Sequence, residues 1–174
     1  FGICGIMEIS VVIPVYNAEK YVEDAVKSAL QQRETAEVIL VEDKSPDNAL
    51  LVCQQLSKEF PRVRLIRHSD GDNHGAGESR NLGIKNARYD YVAFLDADDY
   101  YVENCFSKPA EIFESDPSVD GVYGAVGVEF ENEETRHRYF LVHHDEIATI
   151  DEKVTPDELF RYLVQGGAGY IHLN

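Results

Sequence analysis

The sequence predicts an α/β fold in which a mostly parallel central sheet is flanked by helices. Apolar runs with strand character alternate with segments whose apolar residues repeat at helical spacing, without an intervening linker or low-complexity segment. Strands that alternate with helices pair in parallel through right-handed crossovers. A length of 174 residues and a hydrophobic content of 44% suit one domain with a core of its own.

The first predicted strand covers residues 7–17 and ends in a polar turn. Asn17 is the predicted N-cap of the helix that follows. That helix is indicated by apolar residues at helical spacing, namely Val22, Ala25, Val26 and Ala29. A second strand covers residues 38–41, and Ser45-Pro46 is predicted to begin the next helix. Its apolar face consists of Ala49, Val52, Cys53, Leu56 and Phe60.

Pro61 should end this helix because proline cannot continue it. The elements predicted next are a strand at residues 63–66, a polar loop at 69–73, a helix ending near Ala87, a strand at 91–95 and a helix at 102–113. Pro109 should kink or split that last helix.

Beyond about residue 120 the pattern changes. Residues 122–130 and 139–142 are predicted strands joined by a charged turn at 131–138. Thr155-Pro156-Asp157-Glu158 is a capping box that should open a helix through about Val164, before the glycine-rich break at 166–169. We expect one domain over residues 7–174, with halves at 7–119 and 120–174. Residues 1–6 are taken as an upstream extension or a cloning remnant.

The charge of the chain limits its partners. Lysine and arginine total 16 against 32 acids, a formal net charge of −16. Such a field repels nucleic acid and anionic membrane surfaces, and no apolar run approaches the ~20 residues that span a bilayer. The three cysteines are widely spaced without a metal-type pairing. Reduced, structural cysteines are expected, which favours the cytoplasm.

The stretch Asp96-Ala97-Asp98-Asp99 follows directly after a predicted strand. Open α/β sheets bind ligands beyond the carboxyl ends of their strands. Clustered carboxylates repel one another unless a cation neutralises them, and oxygen ligands of this kind suit Mg²⁺ or Mn²⁺ shared with phosphates. The alternative is a solvated acidic turn that caps the next helix.

Four motifs occur in order: Pro14-Val15-Tyr16-Asn17, Glu42-Asp43, a glycine-rich stretch with Arg80-Asn81, and Asp96-Ala97-Asp98. This ordered set resembles the nucleotide-binding half of the family-2 glycosyltransferases, over roughly residues 9–113. The resemblance implies the GT-A fold, a Rossmann-like arrangement. Residues 7–119 would then be the donor-binding half, and residues 120–174 would begin the acceptor-side half.

The resemblance also implies site residues. Tyr16 would stack on the nucleobase, although it could instead be a rim aromatic packed on the first helix. Asp43 would accept a hydrogen bond from the base, although it could instead be a charge at a helix N-terminus. Both lie past strand ends, where little core packing is expected. The implied nucleotide-binding residues also include Pro14, Val15, Asn17 and Glu19.

Further along, Gly77, Arg80, Asp96 and Ala97 are implied to bind the nucleotide, with Asp96 and Asp98 as the metal ligands. Gly75 and Gly77 would let the backbone approach a ligand. Arg80 would reach the phosphates, or alternatively pair with Asp96 or Asp98. Both His68 and His74 are expected to be loop residues.

The implied activity is inverting transfer of a sugar from a nucleotide-diphosphate sugar, most often a UDP-sugar, to a saccharide or lipid-linked saccharide. The product would be a polysaccharide or cell-surface glycan, and the acceptor would bring the enzyme to the inner face of the membrane. The catalytic base is expected beyond Asn174, with Asp99 as a candidate within the chain. The alternatives are a nucleotide-sugar-binding module and a sugar nucleotidyltransferase, whose glycine-rich, arginine-containing first loop is missing at residues 14–17.

Overall fold

The computed structural model describes residues 6–122, 130 and 132–143. The chain divides into two compact units, Phe1–Asp120 and Gly121–Asn174. In the first unit the elements are β1 (Ile9–Val15), α1 (Val22–Gln31), β2 (Thr35–Glu42), α2 (Ala49–Glu59), β3 (Val63–Arg67), α3 (Gly75–Asn86), β4 (Tyr91–Phe94) and α4 (Ser107–Ser115).

These four strands form a parallel sheet in the order β3-β2-β1-β4. Val12 of β1 pairs with Ile39 of β2 on one side and with Phe94 of β4 on the other. The predicted α/β class and parallel pairing are therefore confirmed. The strand order runs outward from β1 to β3 and then returns to the other side of β1, so it reverses between β1 and β4. Loops that leave the sheet at such a reversal separate and form a crevice.

Helices cover both faces of the sheet. Val11, Ile13 and Val15 of β1 belong to an apolar cluster with buried residues of α1 and α2. Val12 belongs to a second cluster, with Ile39 and with Leu82 of α3. Alternate side chains of one strand thus enter different layers, as the period of two requires. The apolar face predicted for α1 is buried.

The starts of α1 and α2 differ from the prediction. Asn17 is not the N-cap of α1, because its φ of 54° lies in the left-handed region and the N-cap is Tyr21. Ser45 does not cap α2, whose N-cap is Asn48. The Ser45 side chain instead joins the ends of the first two strands, since its Oγ accepts from Asn17 N (3.3 Å) and donates to the Val15 carbonyl (3.4 Å).

The helix predicted at residues 102–113 is shifted along the chain. α4 spans Ser107–Ser115, so Pro109 falls in its first turn and neither kinks nor splits it. Proline is tolerated there because the first N–H groups of a helix have no partner within the helix. Residues 95–106 form instead an irregular segment between β4 and α4, which we call the acidic loop.

In the second unit, α5 spans Glu133–His143. The strand predicted at residues 139–142 is therefore wrong, and so is the turn predicted at 131–138 over the helical residues 133–138. The Asn132 side chain accepts a hydrogen bond from Thr135 N (2.9 Å), and Thr135 Oγ1 accepts one from Asn132 N (3.3 Å). This reciprocal cap starts a helix, and the charged run supports it through the Arg138–Glu134 pair.

Several predictions lie outside the described residues. These are the strand at residues 122–130 over positions 123–129, the helix after Thr155 and the glycine-rich break at 166–169. Within the described ranges, no helix is both long enough and apolar enough to cross a bilayer.

Candidate functional site

A cavity of about 470 Å³ lies at the carboxyl ends of β1 and β4, where the strand order reverses. Its lining comes from the loops after β1, β2 and β4 and from the start of α3. The lining residues are Pro14, Val15, Tyr16, Asn17, Ala18, Tyr21, Asp43, Asn73, Gly75, Ala76, Ser79, Arg80, Asp96, Ala97 and Asp98. The fold therefore brings together the ends of four sequence segments that are far apart in the chain.

One wall of the cavity is aromatic. Tyr16 and Tyr21 both line it and remain 55% and 45% exposed. Tyr16 does not pack away into the core, so its ring is available to a planar ligand. Asn17 turns the chain sharply after β1 through its left-handed backbone, which asparagine tolerates better than most residues. Tyr16 precedes this turn and Tyr21 follows it.

Asp43 holds the turn that leads into α3. Its Oδ1 accepts from His74 N at 2.8 Å, and its Oδ2 accepts from Gly75 N at 2.7 Å and from Asn73 Nδ2 at 3.0 Å. Asp43 is only 2% exposed, so the expectation of little packing around it is wrong. A carboxylate offers about four lone-pair positions, so Oδ1, which accepts one of these bonds and lies 3.7 Å from His68 Nε2, has one position left for a donor.

Two histidines flank this turn, as loop residues. The rings of His68 and His74 stack with centroids 4.2 Å apart. His74 Nε2 lies 3.0 Å from the Asp70 carboxylate, and this hydrogen bond raises the pKa of His74 above its ordinary value. His68 Nε2 lies 3.3 Å from Ser79 Oγ, a residue of the cavity lining.

The cavity lining also contains Asp96, Ala97 and Asp98 of the acidic loop and a cation from α3, Arg80. Arg80 Nη2 donates to Asp96 Oδ1 in a close ion pair, which confirms one of the two roles considered for this arginine. Arg80 Nε is buried without a partner in the described structure. Asp98 is exposed and makes no hydrogen bond or ion pair within the described part of the chain. One free and one arginine-paired carboxylate thus face the same cavity.

The structure places three other predicted residues away from the cavity lining. Glu19 accepts from Asn48 N (3.2 Å) at the start of α2. Gly77 lies on α3, where an added Cβ would meet nothing within 4 Å. Asp99 N donates to the Asp96 carbonyl (3.0 Å) and so closes the turn of the acidic loop. None of these three is among the residues that line the cavity.

Glu42 has a structural position. It is buried, its Oε1 accepts from Ser45 N (2.6 Å), and its Oε2 lies 2.7 Å from Arg67 Nε. These contacts hold the end of β2 against the end of β3. Glu42 therefore supports the loop that carries Asp43 without lining the cavity.

Five lining residues were not predicted from the sequence: Ala18, Tyr21, Asn73, Ala76 and Ser79. A polar residue two positions before a glycine-rich helix start is a usable signal for Asn73. Nothing local indicates Ser79, which is buried on α3 and reaches the cavity only because of how that helix packs.

The donor set at the acidic loop suits a hard divalent cation. Among the described residues there is no group of three or more His, Cys, Asp or Glu side chains that could hold a metal by themselves. Asp96 and Asp98 supply two carboxylates, and Mg²⁺ usually binds one or two carboxylates together with waters and substrate phosphates. The two side chains fit an ion that is bound jointly with a ligand.

Known proteins resemble this chain in sequence and in fold. The model of glycosyl transferase family 2 matches residues 10–171. The uncharacterized glycosyltransferase EpsJ of Bacillus subtilis (strain 168) is 36% identical over 104 residues, which is 59% of this chain and 29% of that protein. The poly(ribitol-phosphate) beta-glucosyltransferase of Bacillus spizizenii is 39% identical over 97 residues, 54% of this chain and 15% of that protein. The chain spans less than a third of either relative.

A solved structure has the same fold. S. aureus TarS 1–349 in complex with UDP-GlcNAc matches with a TM-score of 0.56 and 28% identity, over 71% of this chain and 37% of that chain. The TarS 1–349 structure without that ligand matches with a TM-score of 0.55. The α/β arrangement is therefore the GT-A fold of these glycosyltransferases.

Proposed function

The chain belongs to glycosyl transferase family 2, and we propose that it binds the nucleotide-sugar donor of a glycosyl transfer reaction. The reaction moves a sugar from a nucleoside diphosphate to an acceptor hydroxyl with inversion, in the synthesis of a cell-surface glycan. The observation that carries this proposal is the cavity between β1 and β4, whose aromatic and acidic walls suit the two ends of a nucleoside diphosphate.

The aromatic wall is proposed to bind the base. Tyr16 stacks on the ring, because its exposed side chain can cover a planar ligand without rearrangement of the core. Asp43 accepts a base N–H at the position that the hydrogen bonds from residues 73–75 leave free. Pro14 and Val15 border the base through their backbone.

The part of the lining that contains Arg80, Asp96 and Asp98 is proposed to bind the diphosphate. Asp96 and Asp98 would hold Mn²⁺ or Mg²⁺, which supplies neutralisation of charge on the departing diphosphate. Arg80 is paired with Asp96, and it is placed to exchange that partner for a phosphate oxygen as a charge-assisted donor. The start of α3, at Gly75 and Ala76, lines the same cavity, and a helix N-terminus favours anions. These local groups offset the repulsion expected from the net charge of −16.

The general base of inverting transfer is not assigned to the cavity. Its acidic lining residues, within the described structure, are Asp43, Asp96 and Asp98. All three already have a role in donor binding, and a base must face the acceptor hydroxyl on the other side of the sugar. We therefore propose that the base comes from outside the described donor site.

The donor and the product class are supported by similar proteins. TarS 1–349 has been solved with UDP and with UDP-GlcNAc. Relatives include the poly(ribitol-phosphate) beta-glucosyltransferase and the minor teichoic acid biosynthesis protein GgaB. A UDP-sugar donor and a saccharide or lipid-linked saccharide acceptor are proposed on that basis. A cytoplasmic location is proposed because Cys53 and Cys105 are free thiols.

A titration of the full chain with UDP, GDP and CMP, each with Mn²⁺ and with EDTA, tests this function. We expect UDP to bind most tightly and to need the cation. Binding of none of the three nucleotides under either condition would contradict the proposal. Tighter binding of GDP or CMP would retain the donor site but change the base.

A further inference from the structure

Two buried polar side chains, Ser28 of α1 and Gln32 at its C-cap, contact the acidic loop. Ser28 and Gln32 lie one helical turn apart at the carboxyl end of α1, and both are buried against residues 101–105. The acidic loop begins at β4, where Leu95 N donates to the Val12 carbonyl (3.1 Å). Its first part is therefore held by the sheet, and its later part is held by α1.

Gln32 uses every polar group of its amide. Nε2 donates to the Ser28 carbonyl (3.1 Å) and to the Val102 carbonyl (3.0 Å), while Oε1 accepts from Cys105 N (3.2 Å). Gln32 is only 3% exposed. Because the amide has two donors and one carbonyl, only one orientation of the side chain satisfies all three partners.

Ser28 contacts the same loop three residues after Asp98. Its Oγ donates to the Ala25 carbonyl (2.8 Å) and accepts from Tyr101 N (3.0 Å). The Tyr101 hydroxyl in turn donates to the Phe94 carbonyl (2.7 Å), the last residue of β4. The chain that carries Asp96 and Asp98 is thus closed at both ends, by the sheet before it and by Tyr101 after it.

This arrangement links the two walls of the cavity. The N-cap of α1, Tyr21, lines the cavity, and the other end of the helix carries the residues that hold the acidic loop. This helix thereby connects Tyr21 to the segment that carries the carboxylates. A buried polar network in which every member is satisfied specifies one geometry more strictly than apolar packing does.

We propose that Ser28 and Gln32 are positioning residues for the diphosphate-binding carboxylates. They set the position of Asp96 and Asp98 relative to the base-binding wall, although neither touches the ligand. This inference rests on the proposed donor site. It applies to the diphosphate and its cation, and the base-binding wall should not need it.

The test compares a ligand with phosphates and a ligand without them. Gln32→Met keeps the length of the side chain but removes the three hydrogen bonds, and Ser28→Ala removes the acceptor of Tyr101 N. Gln31→Met is the matched control, because Gln31 is exposed on the same turn. Each variant of the full chain is titrated with UDP plus Mn²⁺ and, separately, with uridine, and its thermal unfolding is recorded.

We expect Gln32→Met and Ser28→Ala to bind UDP with Mn²⁺ about 10-fold or more weakly, as is typical when supporting partners of a metal site are removed. Their uridine affinity and that of the control should match the wild type. Equal UDP affinity in all proteins would overturn the positioning role. So would a parallel loss of uridine and UDP binding, or loss of a cooperative melt in both variants.

Failure of the proposed function gives a different result. If the wild type itself binds neither UDP nor uridine, the assignment of the donor site is wrong, and the positioning role that depends on it is wrong as well. If the wild type binds UDP with Mn²⁺ and the variants do so equally well, only the positioning role is wrong.

Discussion

At the residue scale, Asp43 combines a structural role with a proposed ligand contact. Its carboxylate accepts three hydrogen bonds from residues 73–75, two of them from backbone N–H groups. Those N–H groups lie at the start of α3, where a negative charge also interacts favourably with the helix dipole. Removal of this carboxylate therefore affects the cavity and the fold together.

We expect Asp43→Ala to lower the free energy of unfolding by about 2–4 kcal/mol, because hydrogen bonds to a buried charged group are lost. Chemical denaturation monitored by circular dichroism measures this change. Asp72→Ala is the control, since Asp72 makes an exposed ion pair with Lys44. An exposed ion pair of this kind contributes little to stability. An equally small effect at Asp43 would show that the turn into α3 does not depend on it.

Tyr16 should behave in the opposite way. Tyr16→Ala is expected to weaken UDP binding by about 1–3 kcal/mol through lost stacking, with little effect on unfolding because the ring is exposed. Tyr16→Phe retains the aromatic face and should retain most of the affinity. Calorimetric titration compares the three proteins. If Tyr16→Phe loses as much affinity as Tyr16→Ala, the hydroxyl and not the stacked ring is responsible.

At the element scale, α3 packs against β1 through a glycine. A Cβ at Gly83 would lie 2.2 Å from Val12 Cγ1, so the helix backbone approaches the strand more closely than any other residue allows. Gly77 lies on the same helix, and a Cβ there would meet nothing within 4 Å. Substitution of each glycine by alanine therefore distinguishes the effect of close packing, at Gly83, from the effect of helix propensity, at Gly77.

Gly83→Ala should destabilise the protein by about 1–3 kcal/mol through overpacking. Gly77→Ala should stabilise it by up to about 1 kcal/mol, because alanine is the better helix former. Thermal unfolding of both variants in one buffer measures the contrast. A Gly77→Ala protein that keeps its stability but loses UDP affinity would support the prediction that the Gly77 backbone approaches the ligand.

A second feature at this scale lies near the amino-terminal ends of β1, β2 and β3. Buried Glu37 of β2 accepts from Arg64 Nη1 (2.8 Å), Ser10 Oγ (2.9 Å) and Arg88 N (2.8 Å), and so joins three strands and the turn before β4. Burial alone would raise the pKa of Glu37, but these hydrogen bonds outweigh it and hold the pKa below its ordinary value of 4.5.

This lowered pKa makes part of the stability pH-dependent. The contribution of the Glu37 carboxylate is fully present above pH 4.5 and is lost as the pH falls through the lower folded-state pKa. We expect Glu37→Gln to lower the free energy of unfolding by about 1–3 kcal/mol at pH 7, since a buried charged partner of Arg64 is lost. Urea denaturation at several pH values measures the difference in the free energy of unfolding between wild type and Glu37→Gln. We expect this difference to shrink as the pH falls below 4.5. If the two proteins differ in unfolding free energy by the same amount at every pH, the Glu37 carboxyl does not contribute as an ionised group.

The elements show which local signals were sufficient. The apolar faces of α1 and α2 are as predicted, because burial against a sheet requires helical spacing. The N-caps of α1 and α2 were predicted wrongly, because Asn17 and Ser45 are of residue types that often cap helices. In the structure these two residues instead hydrogen-bond to each other at the ends of β1 and β2. At α5 a charged run resembled a turn, and the reciprocal Asn132–Thr135 cap was the signal that outweighed it.

At the scale of the whole molecule, the sequence predicted that the site lies beyond the carboxyl ends of the strands, where the cavity is found. The motifs after β1, β2 and β4 could be placed at strand ends from apolar runs alone. The sequence alone did not show which of these motifs are neighbours, because that depends on the strand order β3-β2-β1-β4. Ser79 and Tyr21 enter the lining for the same reason, through packing of α3 and α1 and not through a local pattern.

The central claim is that the exposed Asp98 and the Arg80-paired Asp96 form the diphosphate end of a donor site. Calorimetric titration of UDP into wild type and Asp98→Ala, each with Mn²⁺ and with EDTA, tests it most directly. The wild type should bind much more tightly with Mn²⁺, and Asp98→Ala should lose both that cation dependence and most of the affinity, because the remaining carboxylate is held by Arg80. Equal affinities of the two proteins in Mn²⁺ would contradict the account.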